Sequence, residues 1–405
     1  MSLGAARRLK DALALDDFER LARSYLPRPI FGYVAGGSET LATLRDNRKA
    51  FDEVAFRPAS LVNVAGRTQT TTLFGRDYSA PFGIAPVGFS ALTAFRGDLV
   101  LAGAAERAGI PMIMSGASLT SVEEVAAQSP HIWFQAYLTG EADWISAFVG
   151  RVRAAGVETL VVTIDMPVIS NREHDIRNGF KSPLNPSLGL IYAGLVRPGW
   201  TLNTFLRTLL VRGMPHFENF GIERGPAIIA RNLQYGLAGR DHLDWSHIDL
   251  IRRLWKGRLV LKGVMSARDA MKAREAGVDG IIVSNHGGRQ LDGLPSPMRV
   301  LTTIVDKVDG AMPVMVDSGF RRGTDVLKAL ALGADFVFLG RPFIFAAAIG
   351  GEAGIWKAWS LLHAEIDRDM ALLGVNRLSE LSRDHLMRIA DESPLGEGPS
   401  RRDGY

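Results

Sequence analysis

Residues 280–293 read GIIVSNHGGRQLDG: Ile281, Ile282 and Val283 run straight into Ser284, Asn285, His286, two glycines and Arg289. An apolar, β-branched run without polar alternation belongs to a strand buried on both faces, as in a parallel sheet covered by helices. It breaks off into polar residues because it has reached a site. Upstream, REAGVDGIIVSN joins a helical pattern to this strand through a glycine, and the same joint recurs in ERAGIPMIMS, RAAGVETLVVTID and LALGADFVFLG. Glycine accepts the left-handed conformation that closes a helix, so each is a helix-to-strand junction.

Eight such strands can be read: PFGIAPV, PMIMS, IWFQAY, TLVVTID, RLVLKG, GIIVSN, MPVMVDS and FVFLG. Eight closes an α/β barrel of the TIM (β/α)8 type. An open doubly wound sheet is the competing arrangement, but no G-x-G-x-x-G follows the first strand. A single domain over 1–405 is expected: a helical segment over 1–75, the barrel over 76–350, and C-terminal helices and tail over 351–405. The gap after the fourth strand, about 168–257, exceeds what a crossover helix needs and reads as an insertion.

Composition narrows the chemistry. Net charge is only +4 and the basic residues form no block, so no nucleic-acid partner is expected and an anionic small molecule is. The chain has no cysteine, which removes disulfides, thiolate metal sites and every Cys nucleophile. The N-terminal stretch has charges among its apolar positions, so neither a secretory signal nor a spanning helix is expected and the location reads as cytoplasmic. The most apolar stretch, LGLIYAGLVRPGWTLNTFLRTLLV, is interrupted by Arg197, Pro198, Gly199 and Arg207 and should not span a bilayer.

In a barrel the informative residues are the polar ones at the carboxyl ends of the strands. Here they are Ser115, Gln135 with Tyr137, Thr163 with Asp165, Lys262, Ser284 with His286 and Arg289, and Asp317. A ring of hydrogen-bonding groups from many strands suits a flat heteroaromatic cofactor better than a metal, and no metal is expected: His131, His174, His216, His242 and His247 lack ligand spacing. After the seventh strand comes DSGFRRG and after the eighth LGRP, where glycine backbone and Arg321 or Arg341 form the phosphate cradle expected of this fold.

SNHGGRQLDG, DSGFRRGTDVLKALALGAD, LGRP, FQAY and TIDMP together resemble the FMN-dependent 2-hydroxy acid oxidase and dehydrogenase family, which includes glycolate oxidase, flavin lactate dehydrogenase and mandelate dehydrogenase. The resemblance spans the chain, with its motifs in order on different strands. It implies His286 as catalytic base, oriented by Asp165. It implies Arg172 and Arg289 on the substrate carboxylate, and Tyr33 and Tyr137 on the substrate oxygens. For FMN it implies Ala85, Pro86, Val87, Gly88, Ser115, Gln135, Thr163, Lys262 and Ser284 around the ring. Asp317, Ser318, Gly319, Phe320, Arg321, Gly340 and Arg341 would meet the ribityl chain and phosphate.

The reaction so implied is oxidation of a lactate- or mandelate-like L-2-hydroxy acid to the 2-keto acid, with electrons passed to quinone or another acceptor. Oxygen, giving hydrogen peroxide, is the alternative. Ala117 stands where glycolate oxidase has an aromatic residue, which enlarges the pocket. Gly88 stands where oxygen-reactive members often have alanine, which favours a dehydrogenase. The insertion resembles those of membrane-associated members. Over 190–215, Trp200, Phe205, Leu206, Leu209 and Leu210 alternate with arginines, suiting peripheral contact with the inner face of a membrane. A lid or oligomer contact is the other reading, and the family implies a homo-oligomer. Trp133 and Trp255 are expected to be packing residues. Isopentenyl diphosphate isomerases of the flavin type would need a diphosphate site, and nucleotide-oxidising barrels a cysteine. A noncatalytic flavin-binding protein would not need Tyr33, Tyr137, Asp165, His286 and Arg289 together.

Overall fold

The computed structural model describes residues 9–180, 187–230 and 239–390. Eight parallel strands form the barrel: β1 (Phe82–Ile84), β2 (Ile113–Ser115), β3 (Trp133–Ala136), β4 (Thr159–Thr163), β5 (Arg258–Val264), β6 (Gly280–Val283), β7 (Val314–Val316) and β8 (Phe336–Leu339). Each is one of the eight apolar runs. Strands pair in sequence order, β8 pairs with β1, and a parallel bridge between Ile84 and Met112 closes the ring.

Alternate residues of these strands point to two cores. Ile113, Trp133, Val161, Val260, Ile282, Met315, Phe336 and Phe338 fill the barrel interior, while their neighbours pack outward against the helices. Trp133 packs against Phe338 at 5.5 Å between ring centroids and against Phe74 at 5.6 Å. Trp255 is buried too, its indole N–H donating to the Arg258 carbonyl at 2.9 Å.

Phe74 belongs to a hairpin, Thr71–Leu73 and Arg76–Tyr78, that seals the amino-terminal mouth of the barrel with Leu73, Phe74 and Tyr78. The segment before the barrel is therefore not helical throughout. Helices Leu15–Tyr25, Arg28–Ala35 and Ala42–Asp52 are followed by a strand, Val54–Phe56, which pairs antiparallel with Leu386–Arg388 near the other end of the chain. The hairpin turn has Phe74 (φ 53°) and Gly75 (φ 73°) both left-handed, a mirror-image turn that matches strand twist without the usual Asn-Gly signature.

The insertion is shorter than its sequence gap. Trp245–Leu254 is the ordinary crossover helix into β5, started by Asp244, whose carboxylate accepts from the Ser246 amide at 3.0 Å. At the other end, Arg341–Leu373 is two helices joined at Gly351 (φ 56°), and the chain then returns through short turns to Leu386–Arg388 instead of continuing as helix. Trp133→Ala should lower unfolding free energy by about 3–5 kcal/mol through an unfilled interior layer. A urea midpoint within error of the original chain would contradict that packing role.

Candidate active site

After Val283 the chain makes three consecutive left-handed residues, His286 (φ 58°), Gly287 (φ 66°) and Gly288 (φ 72°). The two glycines meet this at no Cβ cost, and a Cβ on Gly288 would lie 2.7 Å from the Leu44 amide nitrogen. A left-handed histidine is strained, a state that persists only where surrounding contacts enforce it. Here they do: the His286 amide donates to Ser284 Oγ at 3.1 Å, and Nδ1 lies 2.9 Å from Asp165 Oδ1 at the end of β4. With Nδ1 engaged by a carboxylate, Nε2 is the nitrogen left for the cavity.

That cavity, about 520 Å³, opens at the carboxyl ends of the strands. It is lined by Tyr33, Ala85, Pro86, Val87, Gly88, Gln135, Tyr137, Thr163, Arg172, Lys262, His286, Arg289, Asp317, Ser318, Gly319, Phe320, Arg321, Gly340 and Arg341. Three expected residues stand behind its wall. Asp165 backs His286. Ser284 accepts from Lys262 Nζ at 2.8 Å, and Ser115 donates to Gln135 Oε1 at 3.3 Å.

Charges in this wall are held by neighbours. Burial would raise Asp165, but the charge and hydrogen bond of His286, with Lys262, outweigh it and keep the carboxyl below its ordinary range. Burial pushes His286 below its ordinary 6.5, with Asp165 opposing. Lys262 would lose its proton to burial alone, but Asp317, 3.0 Å away, and Asp165 hold the ammonium above its ordinary value. Burial raises Tyr33 and Tyr137, which keeps both phenols protonated as donors.

The arginines differ in how they are spent. Arg289 donates to the carbonyls of Tyr33 (2.5 Å) and Gly36 (3.0 Å), lies over the Tyr33 ring and reaches Asp175 at 3.5 Å. Arg172 is held by Ser170 Oγ at 3.1 Å and Gln290 Oε1 at 3.0 Å, and has no carboxylate partner among the described residues. Arg341 donates to Val34, Gly36 and Gly287 carbonyls, while burial beside Arg289 and Arg321 lowers it to about 9. Arg321, also buried, meets Asp16 and Glu19 at 3.4 and 3.8 Å.

Asp175 and Gln290, which hold these arginines, were not singled out from the sequence; the only signal is their spacing, three residues after Arg172 and one after Arg289. Nor were Phe89 and Phe180, which pack on Tyr33 edge-on at 5.2 Å and stacked at 4.5 Å.

A planar phosphorylated cofactor fits this cavity. Gln135 Oε1 accepts from Ser115 and from the Gly116 amide at 3.2 Å, so its amide nitrogen faces inward, buried and without a partner, suited to a ring acceptor. At the other side the crowded Arg321 and Arg341 call for an anion at the start of the helix beginning at Arg341.

The comparisons agree. A family model for FMN-dependent dehydrogenases matches residues 22–388. The chain belongs to the FMN-dependent dehydrogenase family. Its cofactor is FMN. It is 38% identical over 390 residues to (S)-mandelate dehydrogenase of Pseudomonas putida, covering 94% of this chain and 96% of that protein. It is also 38% identical to an L-lactate dehydrogenase of Azorhizobium caulinodans, covering 92% and 98%. A crystal structure of (S)-mandelate dehydrogenase described as a monotopic membrane protein superposes with a TM-score of 0.86 at 37% identity, covering 93% and 99%. A mandelate oxidase crystallised with benzoyl-formic acid superposes at 0.76 and 35%, covering 92% and 97%.

Because the folded value for His286 lies below the unfolded one, the unfolded chain takes up the extra proton first, and this residue's contribution to stability is lost as pH falls from about 6.5. The His286 imidazole should titrate below 6.5 by NMR, and lower still in Asp165→Asn, which removes the charge opposing burial. A value above 6.5 in either protein would contradict the buried pair.

Proposed function

We propose that this chain oxidises an L-2-hydroxy acid to the 2-keto acid and passes the electrons to a membrane quinone or a similar acceptor. The observation that carries this is the 2.9 Å His286–Asp165 pair, which shares one cavity with Arg172, Arg289 and Lys262. The family and the mandelate and lactate dehydrogenase relatives support it.

In this reading Arg172 and Arg289 grip the substrate carboxylate, for which planar forked donors are suited. Tyr33 and Tyr137 hold the substrate oxygens by their protonated phenols. His286 Nε2 takes the proton that oxidation releases from the substrate, and Asp165 stabilises the resulting imidazolium. FMN supplies the two-electron acceptor. Gln135 and Thr163 would hold its ring, and Lys262, pinned by Ser284 and Asp317, would supply a fixed positive charge that favours its reduced form. Ser318, Gly319, Phe320, Arg321, Gly340 and Arg341 would hold the phosphate end.

Two features favour a dehydrogenase. At Gly88 a Cβ would lie 2.8 Å from Ala117 Cβ and 3.3 Å from the Tyr33 hydroxyl, so close approach is kept open on that wall. The insertion carries an outward apolar surface, with Leu188, Ile191, Tyr192, Leu195, Leu202 and Leu210 exposed. Trp200 faces inward instead and anchors the insertion, donating to the Leu92 carbonyl at 2.8 Å. No helix of the described residues is long and apolar enough to cross a membrane. A surface of this kind, with Arg197, Arg207 and Arg212, suits insertion into one leaflet next to a lipid-soluble acceptor.

The purified holoprotein should be yellow and should bleach anaerobically with some member of an L-2-hydroxy acid panel. His286→Ala should keep its FMN and slow bleaching by about 10²–10⁴-fold. Bleaching at the original rate in that variant would remove the base assignment, and no bleaching by any acid would remove the reaction. Leu188→Glu, Leu195→Glu and Leu210→Glu combined should abolish sedimentation with anionic vesicles while sparing turnover with a soluble acceptor. Unchanged sedimentation would sink the membrane assignment.

A further inference from the structure

Arg240 is a cation in the cavity wall that the reaction above does not use. It opens the turn Arg240–His242, between the insertion and the crossover helix into β5, and only 4% of it is exposed. Its guanidinium carbon lies 4.4 Å from the centroid of the Tyr137 ring and 5.7 Å from that of Phe220. Nη1 reaches only the Met166 sulfur, at 3.8 Å. Nε and Nη2 are buried without a hydrogen-bond partner, and Arg240 forms no ion pair among the described residues. It borders both the 520 Å³ cavity and an adjoining chamber of about 210 Å³.

A buried guanidinium with idle donors is costly unless something pairs with it. Packing alone does not account for it, since a methionine would cover the Tyr137 ring without stranding N–H groups. Nor does loss of charge remove the cost: burial lowers Arg240 only to about 10, so it stays cationic at neutral pH. The other cations of the site have a carboxylate or a ligand to meet. Lys262 has Asp317, Arg289 has Asp175, and Arg321 and Arg341 lie together where a phosphate would sit. Arg172, with Arg289, awaits one carboxylate. A monocarboxylate substrate therefore leaves the buried Arg240 unanswered.

We infer that Arg240 receives a second carboxylate at the far end of the substrate side chain, so that the substrate class is the L-2-hydroxydicarboxylic acids. This rests on the hydroxy acid reading and narrows it. Tyr137 then separates two anion subsites, its hydroxyl serving the reacting end and its ring face carrying the guanidinium that fixes the far end. The adjoining chamber leaves room for side chains of different length.

The test is anaerobic flavin reduction in the holoenzyme with matched pairs: malate against 2-hydroxybutyrate, 2-hydroxyglutarate against 2-hydroxyvalerate, and 4-carboxymandelate against mandelate, all as L acids. For the best pair, kcat/KM should favour the dicarboxylate by about 10²-fold or more, as expected where a buried polar group goes unpaired with the wrong substrate. Arg240→Met should collapse that ratio at least 30-fold, roughly the larger part of it, and Arg240→Lys should recover part. Wild-type preference for the monocarboxylate in every pair, or an unchanged ratio in Arg240→Met, would overturn the inference and leave the hydroxy acid reading standing. Reduction by no acid of either kind would remove both. If Arg240→Met fails to fold, the wild-type ratio and Arg240→Lys decide.

Discussion

The turn at His286–Gly288 is the constraint on which the site depends. A left-handed histidine costs of order 1–3 kcal/mol relative to relaxed backbone, and five contacts hold the turn that contains this one. Ser284 Oγ accepts its amide, and Asp165 takes its ring nitrogen. The Gly287 amide donates to Ser318 Oγ after β7, while its carbonyl accepts from Arg341 after β8. The Gly288 carbonyl accepts the Ser38 amide from the N-terminal segment. One short turn thus ties the ends of four strands and the segment that carries Tyr33. Relaxing it to ordinary strand geometry would move His286 and Arg289 together, because both side chains take their direction from the same few dihedrals.

Electrostatics makes the same site incomplete without its ligands. The wall holds more cationic groups than its own carboxylates answer: Arg341 is lowered to about 9 by burial and by Arg289 and Arg321, and Arg172 and Arg240 have no carboxylate partner among the described residues. Folding leaves these charges buried, and bound anions relieve the repulsion. Binding free energy and folding stability are therefore linked, with FMN and substrate acting as stabilising ligands of the folded chain.

How much of this was legible follows from how each feature is written in the chain. All eight barrel strands were readable because a doubly buried strand is a continuous apolar run, and four of them follow a helix that closes on a glycine. His286, Lys262 and Arg289 were readable because they interrupt or end such runs. The hairpin at 71–78 was not, since its turn is Phe74-Gly75 and its job, sealing the barrel base, appears only once the barrel exists. Trp200 looked like part of an outward apolar stripe, but the local helix turns it against Leu92. The family resemblance put Ser115 and Ser284 at the cofactor, and in the fold their hydroxyls engage Gln135 and Lys262, which line the cavity. Asp175 and Arg240 lie outside the strands, so only the folded chain brings them to the cavity, and Gln290 acts on it through Arg172.

The insertion between β4 and β5 joins two tasks that would otherwise be separate. Its outer surface leaves Leu188, Leu195 and Leu210 exposed. Residues of the same connection, Phe180, Phe220 and Arg240, line the cavity. Phe180 stacks on Tyr33 at 4.5 Å and Arg240 on Tyr137 at 4.4 Å, so both tyrosines of the cavity wall are backed by this one connection. Seating it on a membrane would constrain those two contacts at the same time as it brings the cavity to a lipid-soluble acceptor. Variation in this segment would change acceptor access and substrate choice together, while the barrel that carries His286, Asp165 and Lys262 stays the same.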